Sequence, residues 1–369
     1  MSVKRKIECF DGVRTASCLL VVGFHAYLTM LGHLGLSSFF ILSGFLSYYN
    51  YYDRPGADSL SLIHCARFSL KKIAKLYPLH LAMLLVMLVG QLYGYAHGLI
   101  SRFALVRKLI FNAALLQSWV PVNEVYFSFN VPSWYLSTMM FLYFAFPVIL
   151  RLMRRYRTRA AAVLAIGAVL AVQLISAYVA VTLYDAHAVR ESYETPAFAQ
   201  WFTQVLPLYR LGDFIVGCNL AYLFTMRGER EASRAYCVAL ELVGVALTAV
   251  AHSLYLSPSL PVWLGPTELF LLPAAVFVYA FALGNGLLAR LGTTRPVKFI
   301  AGLSSDIYLT HFVVITFASI ICSSLPIPAA WQKAAFVCFV ACVTLGASML
   351  CARIRRRRKL LMRGITSKN

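Results

Sequence analysis

The sequence predicts an all-α, polytopic membrane protein with about ten transmembrane helices and both termini in the cytoplasm. Three observations carry this. The 369 residues are 60% hydrophobic and only 13% charged, a balance that belongs to membrane proteins rather than soluble domains. Apolar runs of membrane length recur along the chain. The 34 Lys and Arg residues alternate between those runs. With the N-terminus inside, the inner segments hold 28 and the outer segments 5, and Arg210 within a span accounts for the last. Such a split follows the positive-inside rule, and one missed span would scramble it.

The runs lie at about 16–33, 35–52, 76–97, 133–150, 160–183, 201–225, 236–256, 267–289, 299–322 and 331–352. The first follows KRK at residues 4–6, as a secretory signal would. It lacks a small-residue cleavage site and a second run follows at once, so it reads as an uncleaved span. The longest outer segment is 98–132, and its stretch LIFNAALLQSWV is too short to span. An interfacial or re-entrant helix is expected there. Residues 1–352 then form a single transmembrane domain. Residues 353–369 form a basic cytoplasmic tail, whose RRRRK at 355–359 anchors the topology and meets anionic lipid.

A net charge of +20 would suit nucleic acid, but the cations are dispersed over short loops. Membrane lipid, and no nucleic acid, is the expected partner. Cys18, Cys218, Cys322, Cys338 and Cys342 lie within apolar runs, and no C-x-x-C occurs. They read as packing residues, neither disulfides nor metal ligands. H-E-x-x-H, G-x-S-x-G and Gly-rich phosphate loops are absent. Ser43 and Gly44 in ILSGFL read as small-residue helix packing.

Chemistry concentrates first in FDGVRTASCLLVVGFHAYLTM, with Arg14 at the start of the first span and His25 in its middle. Eleven residues are about three turns with about 20° left over, so both side chains share one helix face about 16 Å apart. An ionisable group inside a membrane is by default a functional-site candidate. A neutral imidazole is a usable general base near pH 7. The structural alternatives are a histidine that only bonds a neighbouring helix, and a topology arginine paired with Asp11.

Lys72 and Lys75 stand three apart at the start of the third span, a spacing that lets both face one way on a helix. They read as phosphate ligands at a cytoplasmic entrance, or as anchors. In NVPSWYLSTMMFLYFAFP, Asn130, Ser133, Trp134 and Ser137 sit at the outer mouth of the fourth span. Trp134 alone would be an interfacial aromatic. The three polar side chains suit hydrogen bonds to a sugar. In PLYRLGDFIVG, Arg210 and Asp213 are i, i+3 and are expected as a structural ion pair. In GLSSDIYLTHF, Asp306, Tyr308 and His311 lie in the ninth span. His311 is about 18 Å from that span's cytoplasmic end, a depth comparable with His25, so the two histidines are expected to line one cavity.

These blocks together resemble the acyltransferase 3 family of integral membrane acyltransferases. FDGVR, the ten residues between Arg14 and His25, and GLSSFFILSGFL carry the resemblance. KKIAKLYPL, NVPSWYLSTMMFLYFAFP, YRLGDFIVG and SSDIYLTH follow in order, so it covers about residues 8–350. The resemblance implies transfer of an acyl group, commonly acetyl, from cytoplasmic acyl-CoA to a hydroxyl of an extracytoplasmic glycan. It implies that His25 is catalytic and Arg14 essential. It also implies an R-x-x-R pair where Lys72 and Lys75 stand here; lysine keeps the charge and loses the bidentate fork. Many relatives carry a glutamate where Met139 stands, and tyrosine is common where Ser305 stands. Some append a periplasmic hydrolase-like domain. This chain stops after the tenth span, so its acceptor site is expected within the membrane domain.

The expected function is therefore an O-acyltransferase of a bacterial inner membrane acting on O-antigen, capsule or exopolysaccharide. Acetyl-CoA or another acyl-CoA is a co-substrate and no cofactor is resident. Arg14, Lys72 and Lys75 hold the donor, and His25 acts as base or as nucleophile. A transporter of an acyl group or anionic solute is the rival, and a non-catalytic partner in a glycan export complex is the third reading. Nothing in the sequence fixes the oligomeric state.

Overall fold

The computed structural model describes residues 6–185, 197–228, 231–325 and 328–366. Most of the expected outer loop 184–200 falls outside them, as do Lys4, Arg5 and Lys368. The described residues form helices and no strand. In chain order these are α1 (Phe10–His25), α2 (Gly32–Tyr51), α3 (Leu62–Ile73), α4 (Tyr77–Ala96) and α5 (Arg102–Ala113). They continue as α6 (Asn123–Tyr126), α7 (Trp134–Met153), α8 (Arg159–Asp185), α9 (Ala197–Gln200) and α10 (Pro207–Thr225), the last entered through a π-helical turn at Trp201–Val205. The final five are α11 (Arg234–Tyr255), α12 (Pro266–Leu283), α13 (Leu287–Leu291), α14 (Arg295–Ser324) and α15 (Ala329–Thr366).

Among the described residues, seven helices are long and apolar enough to cross a membrane: those at Tyr77–Ala96, Val131–Met153, Arg159–Leu183, Arg234–Tyr255, Pro266–Leu283, Arg295–Ser324 and Ala330–Arg357. The other three expected spans are helices too, but α1 has only 16 residues and α10 carries Arg210 and Asp213. Their composition has a packing cause. α2 and α10 are the interior of the bundle, where side chains face protein rather than lipid and need not be apolar.

α2 packs more extensively on α10 than any other pair of helices packs together. Gly44 of α2 lies against the Phe214 carbonyl, and Gly217 of α10 lies against the Ile41 carbonyl. A Cβ at either glycine would strike backbone, so the two helices touch through their smallest residues. This is the small-residue packing expected of ILSGFL. α1 lies against α2, α12 and α14, and α3 against α7.

Two local expectations change. The outer segment folds as α5 from Arg102, capped by the Ser101 hydroxyl accepting from the Ala104 N–H at 3.2 Å. It then breaks after Ala113, with Leu115 left-handed at φ 56°. LIFNAALLQSWV is thus the end of one helix and a turn, with Leu115, Gln117 and Ser118 buried. The basic tail continues α15 as helix to Thr366, and Arg355 makes a two-pronged ion pair with the buried Asp306 of α14. Arg355 is thus more than a surface anchor.

Candidate active site: a histidine pair above a cationic cavity

α1 stops at His25 for a definable reason. The Leu28 N–H donates to the Gly23 carbonyl at 2.7 Å and the Tyr27 N–H to the Phe24 carbonyl at 3.1 Å. These are the two bonds of a Schellman ending. Tyr27 takes the left-handed position at φ 57°, which normally belongs to glycine. His25 is therefore fixed on the last turn, next to the helix's partial negative charge, which favours positive charge developing on the ring.

His25 Nδ1 lies 2.9 Å from the Val21 carbonyl oxygen and 3.2 Å from Nε2 of His311. His311 Nδ1 lies 3.1 Å from the Ile307 carbonyl oxygen, and its ring is fully buried. The two histidines read as sharing one depth thus meet directly. Phe312 packs edge-on against the His25 ring, and Phe24 lies edge-on to both His25 and His33.

Below them is a cavity of about 530 Å³ between α1, α2, α3, α7 and α14. Along α2 its wall runs from Asn50 to Phe39, eleven residues or about 16 Å. Arg14 and Lys72 line it, as do Ser43, Ser47, Met139 and Tyr143, and among the described residues no carboxylate lines it. Arg14 lies 3.5 Å from Asp11, which also binds Lys6 at 3.0 Å. Lys72 stands over the rings of Tyr51, Phe68 and Tyr143, 4.8–5.6 Å from their centroids. α3 is a 12-residue amphipathic helix outside the spans. Burial and the cations Lys75, Arg54 and Lys71 bring the Lys72 ammonium down to about 8.

Lys75 does not join it. The helix expected to carry both lysines breaks after Ile73, because Pro78 starts a new one as α4. Lys75 falls in the turn, exposed and off the cavity wall.

The cavity ends one turn short of the histidines. Its top is Phe39, Tyr135, Tyr308 and Leu309. The three rings touch one another, and Val21, one turn below His25, packs on Tyr308 and Leu309. Tyr308 lies 5.8 Å ring to ring from His311 and donates its hydroxyl to the Pro132 carbonyl at 3.1 Å.

The outer-mouth residues differ from expectation. Asn130 Nδ2 donates to the Leu309 carbonyl at 2.8 Å. Ser137 donates to the Leu115 carbonyl at 2.6 Å, Ser133 accepts from Gln117, and the Trp134 carbonyl accepts from Ser118. All four residues are buried and none lines the cavity. Their polar groups hold the folded-in segment 114–133, where only the short α6 and isolated turns satisfy backbone groups locally.

Arg210 and Asp213 pair at 2.8 Å with both side chains fully buried. Arg210 Nε also donates to the Gln204 carbonyl at 2.8 Å, and Gln173 donates to Asp213 at 3.1 Å. Sequence reasoning missed Tyr135, Tyr143 and Asn50 on the cavity wall. Tyr135 and Tyr143 stand among other aromatic residues of α7, so nothing local marks which of them turn inward, and Asn50 lies near the end of its run, where polar residues are common.

A family model described as an acyltransferase domain matches residues 7–353. The acyltransferase MdmB of Streptomyces mycarofaciens is 28% identical over 298 residues, covering 79% of this chain and 70% of MdmB. The O-acetyltransferase OatA of Staphylococcus aureus is 23% identical over 337 residues, covering 85% of this chain and 51% of OatA, so the chain spans about half of that relative. No solved structure matches. With a family match across nearly its whole length, this all-helical chain belongs to the acyltransferase 3 family.

Proposed function

We propose that this protein moves an acyl group, acetyl in the simplest case, from cytoplasmic acyl-CoA to a hydroxyl of an extracytoplasmic glycan. It sits in a bacterial inner membrane, with α1, α2 and α10 completing ten spans and both termini cytoplasmic. The observation that carries the reading is the cavity: among the described residues its wall holds two cations and no acid, and it ends one helical turn from a histidine pair.

The donor's phosphates bind Arg14 and Lys72 at the inner end, and the pantetheine arm lies along α2. The rings of Phe39, Tyr135 and Tyr308 part to admit the thioester to His25. His25 Nε2 takes the proton from the acceptor hydroxyl, and the oxygen attacks the thioester carbon. The carbon–sulfur bond breaks, and the thiolate leaves with the proton from Nε2, giving ester and free thiol. The site excludes water by its aromatic layer, which limits loss of the donor to hydrolysis.

The test is His25→Ala in membranes from the producing cells, supplied with labelled acetyl-CoA. Loss of label from base-labile esters of the surface glycan, at unchanged protein level, is the expected result. Full labelling by the variant overturns the reading. A trapped acyl-histidine replaces direct attack with a two-step route through the same nitrogen.

A further inference from the structure

The hydrogen-bond pattern around the two histidines determines more than their proximity. The Ile307 and Val21 carbonyl oxygens can only accept. His311 Nδ1, 3.1 Å from Ile307, must therefore carry a hydrogen. In a neutral ring that leaves His311 Nε2 as an acceptor. His25 Nδ1 faces that nitrogen at 3.2 Å and the Val21 oxygen at 2.9 Å. Two acceptors thus converge on one ring nitrogen, and it must be the donor. The other nitrogen of His25, Nε2, then holds a bare lone pair, and no hydrogen bond to it forms among the described residues.

We propose that His311 is a positioning residue that, together with the Val21 carbonyl, holds His25 in its Nδ1–H form and so makes Nε2 the reactive nitrogen. The reasoning rests on the function proposed above for His25.

The two acceptors differ in what they do. The bond to the Val21 carbonyl, four residues back, ties His25 only to its own helix. His311 comes from α14, 286 residues away, and ties the ring to a second helix. It is fully buried and is itself oriented by Ile307. When Nε2 takes a proton, the positive charge spreads to Nδ1, and the His311 lone pair stabilises it there. A carboxylate commonly does this in catalytic triads. A neutral imidazole does it without placing a permanent charge in the membrane, which would be costly.

The test uses the full chain in nanodiscs and in its own membranes. His311→Phe keeps ring volume and removes the acceptor; His311→Gln supplies an amide oxygen in its place. With acetyl-CoA as probe in native membranes, His311→Phe should lower the rate of CoA release about 10- to 100-fold, the range seen when a metal-bound histidine loses its outer hydrogen-bond partner. The KM for acetyl-CoA should stay unchanged, and His311→Gln should recover a large part of the rate. Equal losses in both variants, or a shift confined to KM, overturn the proposal. The second measurement is independent of activity. In protein labelled with ¹⁵N in its imidazoles, the His25 signal, assigned by its loss in His25→Ala, should show one-bond proton coupling at Nδ1 and none at Nε2. Protonation at Nε2 in the wild type overturns the proposal, whether or not acetyl-CoA proves to be the donor. An inactive wild type with the Nδ1–H form would instead remove the proposed function and leave the positioning intact.

Discussion

Arg14 of α1 and Lys72 of α3 line one cavity, although 58 positions separate them. Each cation has a competitor already. Arg14 has Asp11 at 3.5 Å and Lys72 has three aromatic rings. An anion entering the cavity exchanges these weak contacts for charge-assisted hydrogen bonds. Arg14→Ala should raise the KM for acetyl-CoA by about ten- to a hundredfold, corresponding to about 1.5–3 kcal/mol. Lys72→Ala should act the same way, and Lys75→Ala should act much less because it is off the wall. Titration of a non-hydrolysable acyl-CoA analogue decides this. Equal effects from Lys72→Ala and Lys75→Ala would show that surface charge alone attracts the donor.

Lys72 also gives a pH dependence. Its ammonium titrates near 8, below the ordinary lysine value, because of burial and nearby cations. The cation is present at pH 7 and largely lost at pH 9, while donor phosphates are about nine-tenths ionised or more across that range. Donor affinity should therefore fall by up to about tenfold from pH 7 to pH 9. The effect on folding has the opposite sign. A lysine whose native value is lowered binds fewer protons when folded than when unfolded, so stability rises between about 8 and the ordinary value. Weaker donor binding in a protein that is no less stable marks Lys72, and Lys72→Arg should flatten the profile.

Much of this was legible in the sequence, for physical reasons that differ by level. Among the described residues, seven of the ten apolar runs are helices long and apolar enough to cross a membrane, because membrane length and hydropathy act on whole segments. His25 and His311 met because depth follows from helix rise alone. Lys75 failed because a single proline, Pro78, moved the helix start and turned the lysine out. Ser133 and Ser137 failed because the segment 114–133 folds in and takes their hydroxyls, and no sequence period reports a loop's backbone needs. Asp306 was visible, but its partner Arg355 was hidden among five consecutive cations.

The Arg210–Asp213 pair should prove structural. Both groups are fully buried, so removing one leaves the other uncompensated. Arg210→Ala should lower stability by about 3–5 kcal/mol. The double change Arg210→Met with Asp213→Leu should recover most of that, since an apolar pair of similar volume avoids desolvation. Thermal unfolding in nanodiscs checks both. A stable double variant that still loses activity would move the pair into the catalytic machinery.

The layer of Phe39, Tyr135 and Tyr308 should set the length of acyl group that is accepted. These rings stand between the cavity and His25, with centroids 5.1–6.2 Å apart. In the proposed route the thioester passes them, and its acyl chain fits beside them once the carbonyl reaches Nε2. Of the three, Phe39 has no hydroxyl to satisfy, whereas Tyr308 is tied to Pro132. Phe39→Ala therefore removes bulk without orphaning a polar group. One extra methylene in an apolar pocket is worth about 1–3 kcal/mol. Phe39→Ala should shift the ratio of kcat/KM for butyryl-CoA over acetyl-CoA upward by at least about tenfold, and Phe39→Trp should push it down. A ratio unchanged in both variants, with activity retained, would mean that the acyl group approaches His25 by a path other than this cavity.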